Sequence, residues 1–233
     1  MLFFFKEKPI EIVTFINSNF HYAREFTPVV PAIEAIPDWW KKTPRSFFDW
    51  DKEYSHRTVK SCPGIVNVLK IGMVIPLWTD IALQWNEDRW KYIASDKITI
   101  MHNHDMVQTP GFYPNHWHTK ISSPWLIETP VKLMVTQPTY LRPEPFPFIT
   151  PYGIIEPIKN LAGSNIFLFL EKKKETTRFM LKVGMPLLHI IPITEKKVNY
   201  VVREISDYEY RKKELTLGSN NHFVSKGMKN AVM

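Results

Sequence analysis

The stretch IVNVLKIGMVIPLW, residues 65–78, indicates the fold most directly. It is rich in β-branched residues, and Gly72 and Pro76 are typical of a bulge or an edge position in a sheet. A few residues further on, IALQW (81–85) alternates large apolar residues with Ala82 and Gln84, as a half-buried strand does. The sequence therefore predicts β-structure on both sides of residue 80.

Further short apolar segments, bounded by Pro, Gly, Asn or Lys, continue this pattern at 97–101, 125–127, 131–136, 166–170, 177–183, 187–193 and 198–204. The chain has 19 Pro against 8 Gly, and proline interrupts long helices and central strands alike. Many short strands without long helices between them predict a mainly β fold. We expect an antiparallel β-sandwich or barrel, of jelly-roll or cupin-like type.

Two segments carry helix signals. AIEAIPDWWKK (32–42) predicts a short helix that begins near Pro37, and Pro44 stops it. Near the end of the chain, Ser206 with Glu209 forms a capping pattern, and Gly218 is the expected stop. We predict a single β-rich domain over 1–215 that ends in one short helix, followed by an extended, basic C-terminal arm over 216–233.

Composition excludes some classes of protein. The 233 residues include 44% hydrophobic residues and 23% charged residues, which excludes a disordered chain and allows a substantial core. A lone cysteine, Cys62, excludes an intramolecular disulfide. Neither a signal peptide nor an apolar stretch of about 20 residues is evident. We therefore expect a protein that is neither secreted nor transmembrane and has no membrane partner.

The net charge of +7 is concentrated towards the C-terminus. Residues 211–233 contain five Lys or Arg against Glu214 alone, and shorter basic runs lie at 172–174 and 196–197. Such runs are typical of solvated strand ends, but they also suit an acidic partner. Nucleic acid bound through the basic arm, or an acidic protein subunit, are the two candidates.

The common catalytic motifs are absent from the sequence. It contains no Gly-rich phosphate loop, no G-x-S-x-G, no H-E-x-x-H and no dinucleotide fingerprint. The carboxylates are scattered and define no acid–base pair. We therefore assign no catalytic residue and expect a non-enzymatic protein.

Four of the eight histidines form two H-x-H pairs, His102 with His104 and His116 with His118. On a strand, residues i and i+2 point to one face, so each pair places two imidazoles on the same side. Such imidazoles can bind a transition metal, or they can form hydrogen bonds in a polar loop.

The segment KITIMHNHDMVQ (97–108) resembles the first motif of cupins, in which H-x-H and a following carboxylate supply metal ligands. Gln108 stands here where the family has Glu, and a neutral amide is a weaker ligand. GMPLLH (184–189) resembles the second cupin motif, whose final His completes the site. The resemblance implies a metal site at His102, His104, Gln108 and His189, with His116 and His118 as alternates. We expect no cofactor, and the metal bound at such a site would be iron, zinc or manganese.

Five large aromatic residues lie close together in the sequence: Trp39, Trp40, Phe47, Phe48 and Trp50. Such a cluster is typical of a packed core or a protein interface, and less often of a stacking platform for bases or sugars.

Seven stretches between residues 36 and 193 also resemble, in order, an uncharacterised family of short β-rich proteins from tailed phages and some bacteria. They are IPDWWK (36–41), TVKSCP (58–63), the run from Gly72 to Ile81, His104 to Gln108, SPWLIETP (123–130), PYGII (151–155) and GMPL…IPI (184–193). The resemblance implies a phage origin, a sandwich or barrel fold, and location in the host cytoplasm or the virion. It implies no reaction.

Three functions follow as expectations. The first is a non-enzymatic structural or interaction protein, associated with a virion and assembled with other protein subunits into an oligomer or larger complex. The second is a cupin-like metal-binding protein or iron-dependent oxygenase. The third is a nucleic-acid-binding module.

Overall fold

The structure, a computed structural model, describes residues 8–104 and 111–228. It confirms the mainly β, mostly antiparallel fold. The strands in chain order are β1 (Ile10–Asn17), β2 (Val30–Pro31), β3 (Ser46–Asp49), β4 (Tyr54–Arg57), β5 (Met73–Pro76), β6 (Ile81–Trp85), β7 (Trp90–Ala94), β8 (Met101–Asn103), β9 (His116–Ile121), β10 (Trp125–Glu128), β11 (Leu133–Thr136), β12 (Gly153–Ile155), β13 (Leu161–Gly163), β14 (Ile166–Glu171), β15 (Thr177–Leu181), β16 (Pro186–Pro192) and β17 (Val198–Ile205). The helices are α1 (His21–Phe26), α2 (Asp38–Lys42), α3 (Pro63–Val68) and α4 (Asp207–Met228).

The strands form five sheets, and the strand order of each is open, so the described residues form no closed barrel. The orders are β13-β10-β1-β17, β12-β11-β16-β5-β2, β14-β9-β8, β15-β6-β7 and the isolated hairpin β3-β4. Every pair within them is antiparallel except β1 with β17, which run parallel over the whole of β1.

One hydrophobic core joins four of these sheets. Ile127, Ile75, Ile121 and Ile81 each come from a different sheet, and all four are fully buried in the same cluster. Because successive side chains of a strand alternate between faces, each sheet gives one face to this core. The other face is covered in part by α4 on the β1 sheet and by α2 and α3 on the β5 sheet, whereas the β14-β9-β8 and β15-β6-β7 sheets turn it outwards. The outward faces are therefore where a functional surface can lie.

The segment 65–78 differs from the prediction in its first half. Residues 65–68 belong to helix α3, and the strand is confined to Met73–Pro76. Pro63 occupies the first turn of this helix, where its missing N–H costs nothing, and Gly72 turns the chain with a φ of +79°. β-Branched composition alone did not distinguish these two neighbouring elements.

The predicted start of the C-terminal helix is confirmed, but its predicted stop is wrong. The hydroxyl of Ser206 accepts a hydrogen bond from the backbone N–H of Glu209 (3.3 Å), and the Glu209 carboxylate accepts one from the Ser206 N–H (3.1 Å). The helix then passes through Gly218 to Met228, so the segment expected to be extended is helical up to that residue. A glycine ends a helix only where the chain turns left-handed, and otherwise costs about 1 kcal/mol.

None of the helices in the described part of the chain combines the length and the apolar character needed to cross a bilayer.

Candidate functional site

The four paired histidines lie on the outward face of the β14-β9-β8 sheet. In β9, Thr119 and Ile121 are buried towards the core, so His116 and His118 take the opposite face. Strand β8 pairs with β9 so that the N–H of His104 donates to the carbonyl of His118 (2.8 Å). The prediction that each H-x-H pair shares a side is met by this alternation.

Aromatic rings of β14 pack against these imidazoles. The ring of His118 stacks on Phe169, with centroids 4.3 Å apart and planes at 14°. The ring of His104 meets Phe167 edge-on at 5.0 Å. His118 is only 2% exposed, and its Nε2 lies 3.2 Å from the carbonyl oxygen of Tyr113. The two rings are therefore held by packing on β14 and, for His118, by a hydrogen bond.

On this face, His116 has a buried ring nitrogen that is not used. Its Nδ1 is buried and has no hydrogen-bond partner among the described residues. Burial lowers the pKa of His116, the Glu171 carboxylate raises it in part, and His118 lowers it further. The neutral imidazole, which can bind a metal or accept a hydrogen bond, is thereby favoured.

His189 lies in a different sheet, at the centre of β16, and is fully buried. Its Nε2 lies 2.8 Å from the carbonyl oxygen of Ile71, so this nitrogen carries the proton. Its Nδ1 accepts a hydrogen bond from the hydroxyl of Tyr140. A metal at either nitrogen would displace one of these two bonds.

The predicted metal ligands are thus divided between sheets. His102 is exposed on β8, His104 follows it, and His189 lies in the five-stranded sheet. Gln108 lies outside the described residues. Among the side chains that the structure describes, in residues 8–104 and 111–217, no group of three or more His, Cys, Asp or Glu could hold a metal ion. A site that includes Gln108 stays a prediction.

The aromatic cluster of the sequence is divided between the interior and the surface. Trp40 in α2 is 7% exposed and packs in a small second core. Three others lie on the β3-β4 hairpin and are exposed: Phe47 at 53%, Phe48 at 47% and Trp50 at 84%. We call residues 45–57 the aromatic hairpin.

Both faces of the aromatic hairpin carry rings. On one face Phe47 lies opposite His56 and stacks on it at 5.2 Å, and Tyr54 meets His56 edge-on at 5.0 Å. Beside the other face, Phe48 contacts Trp50 at 4.9 Å. Asp49 lies 3.5 Å from the Nε2 of His56. The rings therefore order one another, and the described part of the chain leaves them exposed.

The base of the aromatic hairpin is tied to the body by hydrogen bonds. The backbone N–H of Thr58 and the hydroxyl of Ser61 both donate to the carbonyl of Arg45, at 3.0 and 2.9 Å. No further strand joins β3 or β4 among the described residues, so the outer edge of each is unpaired. The hairpin is an anchored projection with exposed apolar rings and two available edges.

Comparison with models of protein families, with curated proteins and with solved structures finds no match to this chain.

Two features of the site were not predictable from local patterns. Tyr140 is 49 positions from His189 in the chain, and nothing in its segment indicates that contact. The exposure of Trp50 had a weak signal, because it lies among the alternating charges of Asp49, Asp51, Lys52 and Glu53. Charged side chains favour solvent, so the aromatic residues next to them in the chain also lie at the surface.

Proposed function

We propose that this protein is a non-enzymatic interaction protein that assembles with other protein subunits, and that the aromatic hairpin is its contact surface. The observation that carries the proposal is the exposure of Phe48 and Trp50 on a hairpin that joins no other sheet of the described chain. Aromatic residues are enriched where protein surfaces meet and supply much of the binding energy there.

The isolation of the aromatic hairpin favours a partner. A two-stranded hairpin alone is marginally stable in water, and it gains stability when a third strand or a packed surface covers it. Burying an exposed large apolar side chain contributes roughly 1.5–3 kcal/mol. Docking would therefore stabilise the hairpin itself as well as the complex.

The charges of the aromatic hairpin favour protein over nucleic acid. It contains three basic residues (Arg45, Lys52, Arg57) and three acidic ones (Asp49, Asp51, Glu53), so it has no net charge. A nucleic-acid surface needs an excess of positive charge to displace counterions from phosphates. Balanced charges instead allow one hairpin to meet another with opposite signs in register.

A second copy of this chain is the partner we propose. Two-fold contacts bring the same patch of both subunits together, which requires a self-complementary surface. The balanced charges, and the edges of β3 and β4 that no described strand pairs with, meet that requirement. The hairpins would pair through their β3 edges, so that Phe48 and Trp50 of the two subunits pack beside one another on one face of the joined sheet.

Sedimentation velocity over a range of protein concentrations tests this proposal. The wild type should form dimers as the concentration rises, and Phe48→Ser combined with Trp50→Ser should weaken association at least tenfold. Tyr152→Ser is the matched control, because Tyr152 is 85% exposed, as Trp50 is at 84%, but lies outside the hairpin. A wild type that stays monomeric, or a hairpin variant that associates as the wild type does, would refute the proposal.

We further propose, from the resemblance to phage proteins, that the assembly belongs to a virion. Quantitative mass spectrometry of purified particles should find the chain at a stoichiometry comparable to that of other structural subunits. Its absence from particles would remove the virion from the proposal and leave self-association unaffected.

Metal binding is the second candidate. It is favoured by the unused Nδ1 of His116 on the face that carries four imidazoles, and it requires a further ligand from outside the described residues, such as Gln108. Elemental analysis of the native protein should then find iron, zinc or manganese near one equivalent. The metal should be lost in His104→Ala combined with His118→Ala and retained in His21→Ala. A metal-free wild type would exclude this candidate.

A further inference from the structure

The outward face of the β15-β6-β7 sheet has an amphipathic pattern that the aromatic hairpin does not explain. In β6, Ile81, Leu83 and Trp85 are buried in the core, so Ala82 and Gln84 point outwards. The strand register extends these two positions into rows across all three strands. One row is apolar and the other is polar.

The apolar row has a low centre and high sides. Ala82 lies between Met180 of β15 and Ile93 of β7, which are 43% and 72% exposed. Because the side chain of alanine is short and its two neighbours are long, a trough runs along β6 between the side chains of β15 and β7. A cavity of about 350 Å³ lies here and continues to the polar row. That volume falls at the small end of known ligand pockets.

The polar row has one cation on each side of an amide. Gln84 lies between Arg178 of β15 and Lys91 of β7. A smaller, adjoining cavity of about 30 Å³ is lined by Gln84, Lys91, Arg89 and Thr176, among others. A third cation and a hydroxyl thus lie near the same end of the trough.

These cations have no acidic partner in the part of the chain that is described. Arg89, Lys91 and Arg178 form no ion pair there, although Glu87 and Asp88 occupy the same turn as Arg89. Elsewhere on the surface, basic side chains do pair, as Lys132 does with Glu156 at 3.3 Å. Three unpaired cations around one amide form a positive site at one end of an apolar trough.

We propose that this face binds a small amphiphilic anion, namely a medium-chain alkyl carboxylate. The carboxylate would accept hydrogen bonds from Arg178, Lys91 and the amide of Gln84. The alkyl chain would lie over Ala82, between Met180 and Ile93. The two rows are about 7 Å apart along the strand, so a ligand must have both a head and a chain to occupy both.

Beyond Ala82 and Met180, Asp80 and Lys182 pair with each other at 3.5 Å, so the net charge lies at the polar row alone. This distribution favours an alkyl carboxylate over an acidic peptide. A peptide strand repeats its side chains every two residues, and it would place acidic groups over the apolar row as well. Charge-assisted hydrogen bonds to the head give orientation, and the buried chain gives affinity. The proposal is independent of the aromatic hairpin and of the histidine face.

Titration of the full chain with decanoate, followed by calorimetry or by backbone amide shifts, tests the proposal. Decanoate should bind at one site, and acetate and decanol should each bind at least tenfold more weakly. The amide shifts should map to β6, β7 and β15. Absence of decanoate binding, or decanol binding as tightly as decanoate, would overturn the proposal.

Three variants locate the site. Arg178→Gln combined with Lys91→Gln should weaken decanoate binding at least tenfold, because the head loses both charges. Ala82→Leu should weaken it similarly, because leucine fills the trough, whereas Ala82→Ser should bind as the wild type does. Lys174→Gln combined with Lys70→Gln is the matched control, since it removes the same charge from exposed positions outside the trough. The assignment would be refuted if Arg178→Gln combined with Lys91→Gln, and also Ala82→Leu, bound decanoate as the wild type does and unfolded at the wild-type temperature.

Discussion

The hydroxyl of Tyr140 donates a hydrogen bond to Nδ1 of His189, while Nε2 of the same ring donates to the carbonyl of Ile71 at 2.8 Å. Both ring nitrogens of a fully buried histidine are thus satisfied in the neutral form. Burial lowers the pKa of His189, and the bond to Ile71 offsets only part of that effect. The pair connects β16 to the segment before β12 and to the turn before β5.

The first prediction follows from this depressed pKa. At pH values between the pKa of an unfolded histidine, about 6.5, and the lower pKa of His189 in the folded chain, the unfolded chain binds a proton that the folded chain does not. The contribution of His189 to stability is therefore complete above about pH 6.5 and is lost as the pH falls below it. Urea unfolding of the wild type should show a lower free energy of unfolding at pH 5.5 than at pH 7.5.

The His189→Gln variant should be less stable at pH 7.5 but should lose less stability between those two pH values. His116, whose pKa is also lowered, is present in both proteins, so the difference between them isolates His189. An identical pH dependence in the two proteins would contradict the assignment.

The second prediction concerns Gly72, which lies against the same histidine. Its φ is +79°, and a Cβ there would meet the carbonyl oxygen of Ile190 and, at 2.8 Å, Nε2 of His189. Gly72→Ala should therefore lower the free energy of unfolding by more than about 3 kcal/mol, since it adds a backbone clash to the cost of a left-handed residue. Chemical denaturation measures this.

Gly184→Ala is the matched control for that change. Gly184 has a φ of +80°, but a Cβ there has open space around it. Only the conformational cost of about 1–2 kcal/mol should appear. Equal losses in the two variants would show that the contact with β16 does not matter.

The third prediction concerns Asp96, whose carboxylate organises the turn before β8. It accepts hydrogen bonds from the hydroxyls of Tyr22 (2.7 Å) and Thr99 (2.6 Å), and Thr99 in turn accepts one from Trp78 Nε1 (2.7 Å). Asp96→Ala should cost about 2–4 kcal/mol, because several donors lose their acceptor together. Asp88→Ala, an exposed turn position, should change stability by less than about 0.5 kcal/mol in the same assay.

The same carboxylate has a pH signature. Burial raises the pKa of Asp96, but hydrogen bonds from Thr99, Tyr22 and Ile98 outweigh this, so that the net shift is downward. Its contribution should be complete above about pH 4 and be lost as the pH falls through the folded value. The loss of stability caused by Asp96→Ala should accordingly be smaller at pH 2.5 than at pH 7.

The fourth prediction concerns the attachment of α4. Tyr210 is 6% exposed, packs in a cluster with Phe15 and Leu126, and donates a hydrogen bond to the carbonyl of Ser123 at 3.1 Å. Tyr210→Phe should cost about 1 kcal/mol and Tyr210→Ala about 3–5 kcal/mol. Hydrogen exchange should then be faster in α4 of the Ala variant.

Tyr208→Ala removes the neighbouring ring, which is 76% exposed, and should leave both measurements close to the wild type. If Tyr210→Ala left exchange in α4 unchanged, other contacts would hold the helix. The bond from Lys213 to Glu128 at 3.0 Å would be the first to examine.

Local signals in the sequence were sufficient for the fold class and for several of its elements. Alternating apolar residues placed β6, and the capping pattern of Ser206 and Glu209 placed the start of α4. The proline before Asp38 marked the start of α2. These signals depend on residues a few positions apart, so they can be interpreted without knowledge of the tertiary structure.

Signals failed where the outcome depends on distant partners. Ile65 and Val66 have β-branched side chains yet lie in α3, where they pack against the small core around Trp40 and Leu69. Gly218 lies inside α4, because no left-handed turn follows it there. Tertiary packing outweighs intrinsic preference in such places.

The candidate sites show the same division. The H-x-H pairs were correctly placed on one face of their strands, since strand alternation is a local property. The separation of His189 from them, and the trough over Ala82, follow from which strands pair, and sequence spacing contains little of that information. The exposure of Phe47 and Phe48 likewise depends on the hairpin lying apart from the other sheets that the structure describes.

The parallel pairing of β1 with β17 has a consequence for how the chain folds during synthesis. Ile10 aligns with Val198 and Asn17 with Ile205. The central strand β1 therefore pairs with a strand that is synthesised nearly two hundred residues later. Contacts this distant in sequence slow folding, because a long loop must close before they form. On the ribosome, β1 can pair with β10 first. The edge of β1 that will pair with β17 stays unpaired until almost the whole chain has emerged.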